Sequence, residues 1–136
     1  MTLVRSADRR RTETPNGVMT TLASPTQGGA RTAVWHVDMA PGRTGPLHAF
    51  DTEQIWSCLD GAATIDLGGT ILTVTPGDTV VMPADVLRQV TTGPSHGFTA
   101  VVAAPAGTQA YTPRGHEEPG DLAPKGDERL VPRWAR

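Results

Sequence analysis

Cysteine occurs once in the 136 residues, at Cys58, so no internal disulfide can staple the fold. Long apolar runs are missing: no stretch reaches the length of a bilayer span, and no apolar segment of signal-peptide length opens the chain. These absences argue against a membrane-spanning helix and predict a cytoplasmic protein. Apolar residues at three- and four-residue spacing are equally scarce, which predicts little helix. The net charge of -2 supplies no basic surface for nucleic acid. Aromatic residues make up 4% of the chain, so where each one falls carries information.

Glycine and proline are abundant instead, at 15 and 12 residues. Short strands joined by frequent turns use them; long helices do not. A chain of this length suits one domain whose core needs no metal or disulfide to fold. Alternation of period two places the strands. Residues 17–23 read as a first strand, and residues 32–39 as the clearest, with Ala33, Trp35, Val37 and Met39 on the apolar face. Residues 54–61 put Gln54, Trp56 and Cys58 on one face and Ile55, Ser57 and Leu59 on the other. Residues 62–67 and 70–75 flank Gly68-Gly69 as a hairpin, because two glycines supply the positive φ angles of a two-residue turn. Strands at 79–82, 87–92 and 98–104 complete a closed barrel or sandwich. Residues 1–16 are polar, with Arg9, Arg10 and Arg11 bracketed by Asp8 and Glu13, and read as a solvated arm. From Pro105 onward prolines and glycines punctuate charged residues, so residues 108–136 are a tail, either disordered or packed on the barrel. Leu130, Val131 and Trp134 are its candidate anchor.

Two glycine frames run through this strand pattern. Gly42, His48, Phe50, Gln54 and Gly61 resemble the first signature of the cupin family: a glycine, two histidines, a glutamate and a closing glycine. Phe50 stands at the second histidine and Gln54 at the glutamate. Gly77, Pro83, Asp85, Arg88 and Thr92 resemble the second signature, with Asp85 at a glycine, Arg88 at the third histidine and Thr92 at an asparagine. The resemblance implies an all-β protein, a single cupin-type jelly-roll β-barrel over residues 17–107, preceded by the arm and followed by the tail. It further implies that the leader lends a strand to a partner subunit, and that a divalent metal is the family's usual occupant.

Here the four ligand positions carry different chemistry. His48 keeps an imidazole, Phe50 has no donor, Gln54 is a neutral and weak ligand, and Arg88 is a permanent cation without a lone pair. A metal ion beside Arg88 would be repelled at short range. No metal and no other cofactor is therefore expected. Glu53 is one residue out of register and points away from His48 unless a bulge turns it.

The same residues suit an organic ligand, because small-molecule pockets are mostly apolar with a few placed polar groups. Pleat parity sends Trp35, Phe50, Trp56 and Phe98 inward, with Val90 beside Arg88. Arg88 can hold a carboxylate, phenolate or enolate through its planar fork. His48 suits acid or base work near neutral pH, and Gln54 can orient a carbonyl or hydroxyl. A packing interpretation stands beside this one. In it Trp35 and Trp56 fill the barrel, backbone groups satisfy His48, and Asp85 pairs with Arg88 structurally. Cys58 reads as a small core residue, His36 and Asp38 as outward, and His96 and His116 as turn residues. The expected function is a metal-independent cupin enzyme acting on a small organic substrate, aromatic or polyketide-like, by acid–base chemistry: isomerisation, cyclisation or elimination. A non-catalytic ligand-binding cupin is the alternative, and a metal-dependent oxygenase the third. The expected partners are a small molecule and, because open strand edges need covering, a second copy in a homodimer.

Overall fold

Two-residue alternation carries through into eleven strands in a computed structural model that describes residues 1–116, 126 and 128–136. They are β1 (Arg10–Thr14), β2 (Gly17–Ala23), β3 (Thr32–Met39), β4 (Ala49–Phe50), β5 (Gln54–Gly61) and β6 (Ala63–Leu67). β7 (Thr70–Val74), β8 (Thr79–Met82), β9 (Arg88–Thr91), β10 (Phe98–Pro105) and β11 (Ala110–Tyr111) follow. A six-stranded sheet runs in the order β1-β2-β3-β10-β5-β8, a three-stranded sheet in the order β7-β6-β9, and β11 pairs with β4. All of these pairings are antiparallel, and together they make an all-β jelly-roll barrel. Among the described residues no helix is long and apolar enough to cross a membrane.

The core lies between the sheets and follows from pleat parity. Ala33, Trp35, Val37 and Met39 of β3 are buried, as are Phe98, Ala100, Val102 and Ala104 of β10. These two strands pair along their whole length, Trp35 opposite Val102, so the inward face is one continuous apolar surface. The hairpin turn falls at Gly68-Gly69, both at positive φ, between β6 and β7. Gly61 ends β5 under a tighter constraint. Its φ is 72°, and a Cβ there would lie 1.9 Å from the carbonyl oxygen of Gly97.

The N-terminal arm departs from the expected layout. The arm over residues 1–16 is not a solvated leader throughout: its Arg10–Thr14 stretch is β1, an edge strand of the six-stranded sheet. β1 pairs in register with β2 of its own chain, Arg10 opposite Thr21 and Thr14 opposite Gly17. An all-polar strand such as Arg10–Thr14 carries no apolar alternation, so its pairing is invisible to hydrophobic patterning. Arg10 is tied down by Thr26 Oγ1 at 2.9 Å and by the Arg136 carbonyl at 2.6 Å.

The tail packs on the barrel where it is described. β11 closes against β4, Leu130 bridges to Ala110, and a 3₁₀ turn at Arg133–Ala135 lays Trp134 against the core. Ala135 is fully buried, and Thr21 Oγ1 donates to the Trp134 carbonyl at 2.8 Å. The expectation for residues 117–125 and 127 lies outside the described residues.

Candidate functional site

One cross-strand pair sets the site. His48 and Arg88 exchange both backbone hydrogen bonds, at 3.1 and 2.9 Å, which makes them directly opposed residues of an antiparallel ladder. Opposed residues project from the same face, and two positions further on each strand repeat it. Phe50 follows His48 in this way and Val90 follows Arg88. Thr92 continues the β9 face and works in the backbone. Its Oγ1 donates to the Ala40 carbonyl at 2.7 Å and accepts from the Arg43 N–H at 2.8 Å, which pins the loop that leads to His48.

Around this pair the barrel leaves a cavity of about 390 Å³. His48, Phe50, Gln54, Trp56, Arg88 and Val90 border it, with Trp35 from β3. Phe98 does not. It stacks behind Trp56, ring centroids 6.4 Å apart and planes 12° from parallel, so it supports the cavity wall without forming it. Parity had placed Phe98 inward, and it is inward; a larger residue simply stands in front of it. The ends of the chain supply walls that the strand pattern missed. Glu13 and Pro15 come from the β1–β2 hairpin, and Leu130, Pro132 and Trp134 from the tail. Trp134 was the available signal, as a large apolar side chain in an otherwise charged segment.

Arg88 is 1% exposed. Its Nη2 donates to the Pro83 carbonyl at 3.1 Å and its Nε to the Val86 carbonyl at 3.4 Å. Nη1 reaches Gln54 Oε1 at 3.5 Å and the Met82 sulfur at 3.4 Å. The Phe50 ring centroid lies 5.3 Å from its central carbon. Every one of these partners is neutral. Asp85 is not among them: its carboxylate accepts from the Tyr111 hydroxyl at 2.6 Å, so the structural Arg88–Asp85 pair does not form. Burial lowers the Arg88 pKa to about 10, with the negative charge of Tyr111 in its ionised form opposing the shift.

Gln54, on β5, is fully buried. Its Oε1 accepts from the Trp56 indole N–H at 3.0 Å as well as from Arg88. Two donors on one side fix the amide's orientation, oxygen toward them and nitrogen away. Nε2 is then buried without an acceptor among the described residues. The His48 ring nitrogen Nδ1 lies 2.8 Å from the Pro46 carbonyl oxygen. A carbonyl only accepts, so Nδ1 carries a proton, and in the neutral ring the lone pair is on Nε2. His48 also meets Phe50 edge-on, centroids 4.9 Å apart.

This donor set does not fit a divalent cation. One imidazole, one amide oxygen already shared by two donors, a phenyl ring and a guanidinium leave a metal with a single good ligand. Glu53 is exposed and does not border the cavity, so no bulge brings it in. Among the described residues no three His, Cys, Asp or Glu side chains are grouped to hold a metal. Cys58 is buried, donates weakly to the Asp60 carbonyl at 3.6 Å, and has its pKa pushed up chiefly by burial. His36 and Asp38 lie away from the cavity, Asp38 accepting from Thr99 Oγ1 at 2.8 Å.

The Cupin_2 family model, described as a cupin domain, matches residues 35–102, half of the chain. The chain belongs to the cupin family. No curated protein sequence matches this cupin. Solved structures do. The polyketide cyclase RemF from Streptomyces resistomycificus is similar with a TM-score of 0.68 and 22% identity, over 79% of this chain and 81% of that one. A cupin-2 domain from Rhodospirillum rubrum gives 0.73 and 15%, over 84% and 81%. The DMSP lyase DddQ from Ruegeria pomeroyi gives 0.70 and 22%, over 82% and 64%. This cupin therefore shares its fold with a cyclase, a lyase and another cupin-2 domain.

Proposed function

We propose that this cupin is a metal-independent enzyme on a small, flat, anionic organic substrate, removing a proton next to a carbonyl and so driving isomerisation, cyclisation or elimination. The buried Arg88 guanidinium carries the reading. It borders a cavity of ligand size with only neutral partners among the described residues, and Gln54 Nε2 beside it has no acceptor among them. A site with donors in excess is completed by a ligand that brings oxygen acceptors. Trp35, Phe50 and Trp56 give that ligand flat apolar walls. His48 borders the cavity and its imidazole suits the role of base near neutral pH, while Arg88 and Gln54 would hold the oxygen on which negative charge develops. Cyclase and lyase activities among the structural neighbours are compatible with this class of chemistry.

A direct test uses deuterium. After chelator treatment, ketones and phenols that raise the melting temperature are incubated with the protein in D₂O, and wash-in at the carbon next to the carbonyl is followed by NMR. His48→Ala is expected to slow wash-in by about 10²–10⁴-fold, the usual worth of a general base, while binding is kept. Activity that vanishes on chelation and returns with a transition metal contradicts the proposal. Binding without wash-in in the unmodified protein points to the second reading, a non-catalytic binder. The His48 tie to the Pro46 carbonyl favours that reading, since it also serves a purely structural histidine.

The homodimer remains part of the proposal. β8 is an edge strand, and Ile55, Leu59 and Val81 are exposed on the outer face beside it, with Ile55 opposite Val81. A second copy covering that face would remove both the open edge and the apolar patch. Sedimentation equilibrium is expected to give twice the chain mass, and a monomer mass at high concentration contradicts it.

A further inference from the structure

Asp85 holds a left-handed backbone conformation uncommon outside glycine, one that aspartate adopts more readily than most residues. Its φ is 63°, and it is the one non-glycine residue at positive φ among the described residues. The second cupin signature has a glycine at this position, where the conformation is free of cost. For an ordinary side chain it costs roughly 1–2 kcal/mol, and aspartate still carries part of that cost. Such strain persists only where the surroundings enforce it.

Three contacts enforce it. The Asp85 N–H donates to the Phe50 carbonyl at 2.8 Å. Its carboxylate accepts from the Tyr111 hydroxyl at 2.6 Å, and the Arg129 guanidinium lies 4.0 Å from the Tyr111 ring centroid. Tyr111 titrates above its ordinary value, first because it donates to Asp85. The turn held this way is the one that presents the Pro83 and Val86 carbonyls to Arg88, at 3.1 and 3.4 Å. A continuous set of contacts thus runs from β11 through Asp85 to the guanidinium.

We infer that Asp85 and Tyr111 are positioning residues: the tail's tyrosine clamps a strained turn whose carbonyls aim the Arg88 fork into the cavity. Glycine at position 85 would relax the backbone but give Tyr111 nothing to hold. The inference rests on Arg88 being the anion anchor only for its consequence in binding. The clamp itself is a statement about Arg88's order.

The test is NMR of protein labelled with ¹⁵N-arginine, in which the Arg88 Nε–H signal is identified by its loss in Arg88→Lys. Salicylate, which carries a ring, a hydroxyl and a carboxylate, serves as the binding probe. In Tyr111→Phe and in Asp85→Gly the Arg88 Nε–H is expected to exchange with solvent about tenfold faster, the effect of one lost hydrogen bond in the clamp. Salicylate binding should weaken about fivefold on the same scale. Asp85→Asn keeps an oxygen for Tyr111 and is expected to restore most of both. Asp85→Gly should melt no lower than the unmodified protein, so its effect is not a general loss of stability. Unchanged Arg88 exchange in both Tyr111→Phe and Asp85→Gly overturns the clamp, whatever happens to the melting temperature. Faster exchange with unchanged salicylate affinity, and no loss of affinity in Arg88→Ala, leaves the clamp standing and removes the anion-anchor reading instead.

Discussion

Arg88→Ala is expected to weaken binding of a planar anion such as salicylate by about 2–4 kcal/mol, roughly thirtyfold to a thousandfold in affinity. The size follows from desolvation. A guanidinium 1% exposed, with carbonyls, a thioether and an amide as partners, has lost water without gaining a counter-charge among the described residues. Its pKa is accordingly lowered to about 10. For a base the sign is that the charged form is penalised in the folded state. The cost is therefore fully present below about pH 10 and disappears as pH rises past the ordinary guanidinium value. At neutral pH the side chain is still charged, at a cost on the order of 3 kcal/mol. An anion entering the cavity offsets that cost, which is why its binding depends on this residue. Arg88→Lys should also bind poorly, because a point charge cannot replace a planar fork. Arg88→Met keeps the volume and removes the charge, so it is expected to abolish anion binding while leaving the fold at least as stable. Calorimetry and thermal melts read both quantities. Unchanged affinity in Arg88→Ala, or a large loss of stability in Arg88→Met, would mean that the cation is there for the fold.

Gly61→Ala should have the largest effect on stability, a loss of about 3 kcal/mol or more. Two costs add. The residue sits at a φ of 72°, and the new Cβ would meet the Gly97 carbonyl oxygen at 1.9 Å, a contact that only a backbone shift can relieve. That backbone is not free to shift. Gly97 O accepts from the Ala62 N–H at 3.0 Å, and a Cβ on Gly97 would itself lie 2.5 Å from the Met39 carbonyl oxygen. Gly61 also pairs with Phe98, the ring that backs Trp56. The damage therefore reaches the cavity wall as well as the strand end. Urea titration is expected to show a lower midpoint with little change in slope. A midpoint shifted by less than about 1 kcal/mol would mean that the two strand ends move apart easily.

Much of the barrel could be read from the chain because period-two alternation and turn residues are local signals. Residues 17–23, 32–39 and 79–82 are strands with the bounds their patterns imply, and Gly68-Gly69 turns the hairpin. Parity alone places Trp35, Gln54 and Arg88 inward and Ile55 and Leu59 outward. Polar pairing and contacts over long sequence separation left no such trace. β1 pairs through polar residues, and the tail's walls depend on where Leu130 and Trp134 land. Asp85 was a reasonable partner for Arg88 on proximity along the chain. The competitor, Tyr111, reaches it only because β11 folds back onto β4. Phe98 is inward, yet hidden behind Trp56, a matter of side-chain size that parity does not address.

The central claim is that Arg88 and Gln54 together receive an oxygen-bearing anion. A crystal structure of the metal-free protein with salicylate bound tests it most directly. Expected is a carboxylate or phenolate oxygen within about 3 Å of an Arg88 nitrogen, a second acceptor on Gln54 Nε2, and the ring between Trp35 and Trp56. Salicylate bound with its oxygens away from Arg88, a cavity left empty at saturating salicylate, or a transition metal on His48 with two further protein ligands would each contradict it.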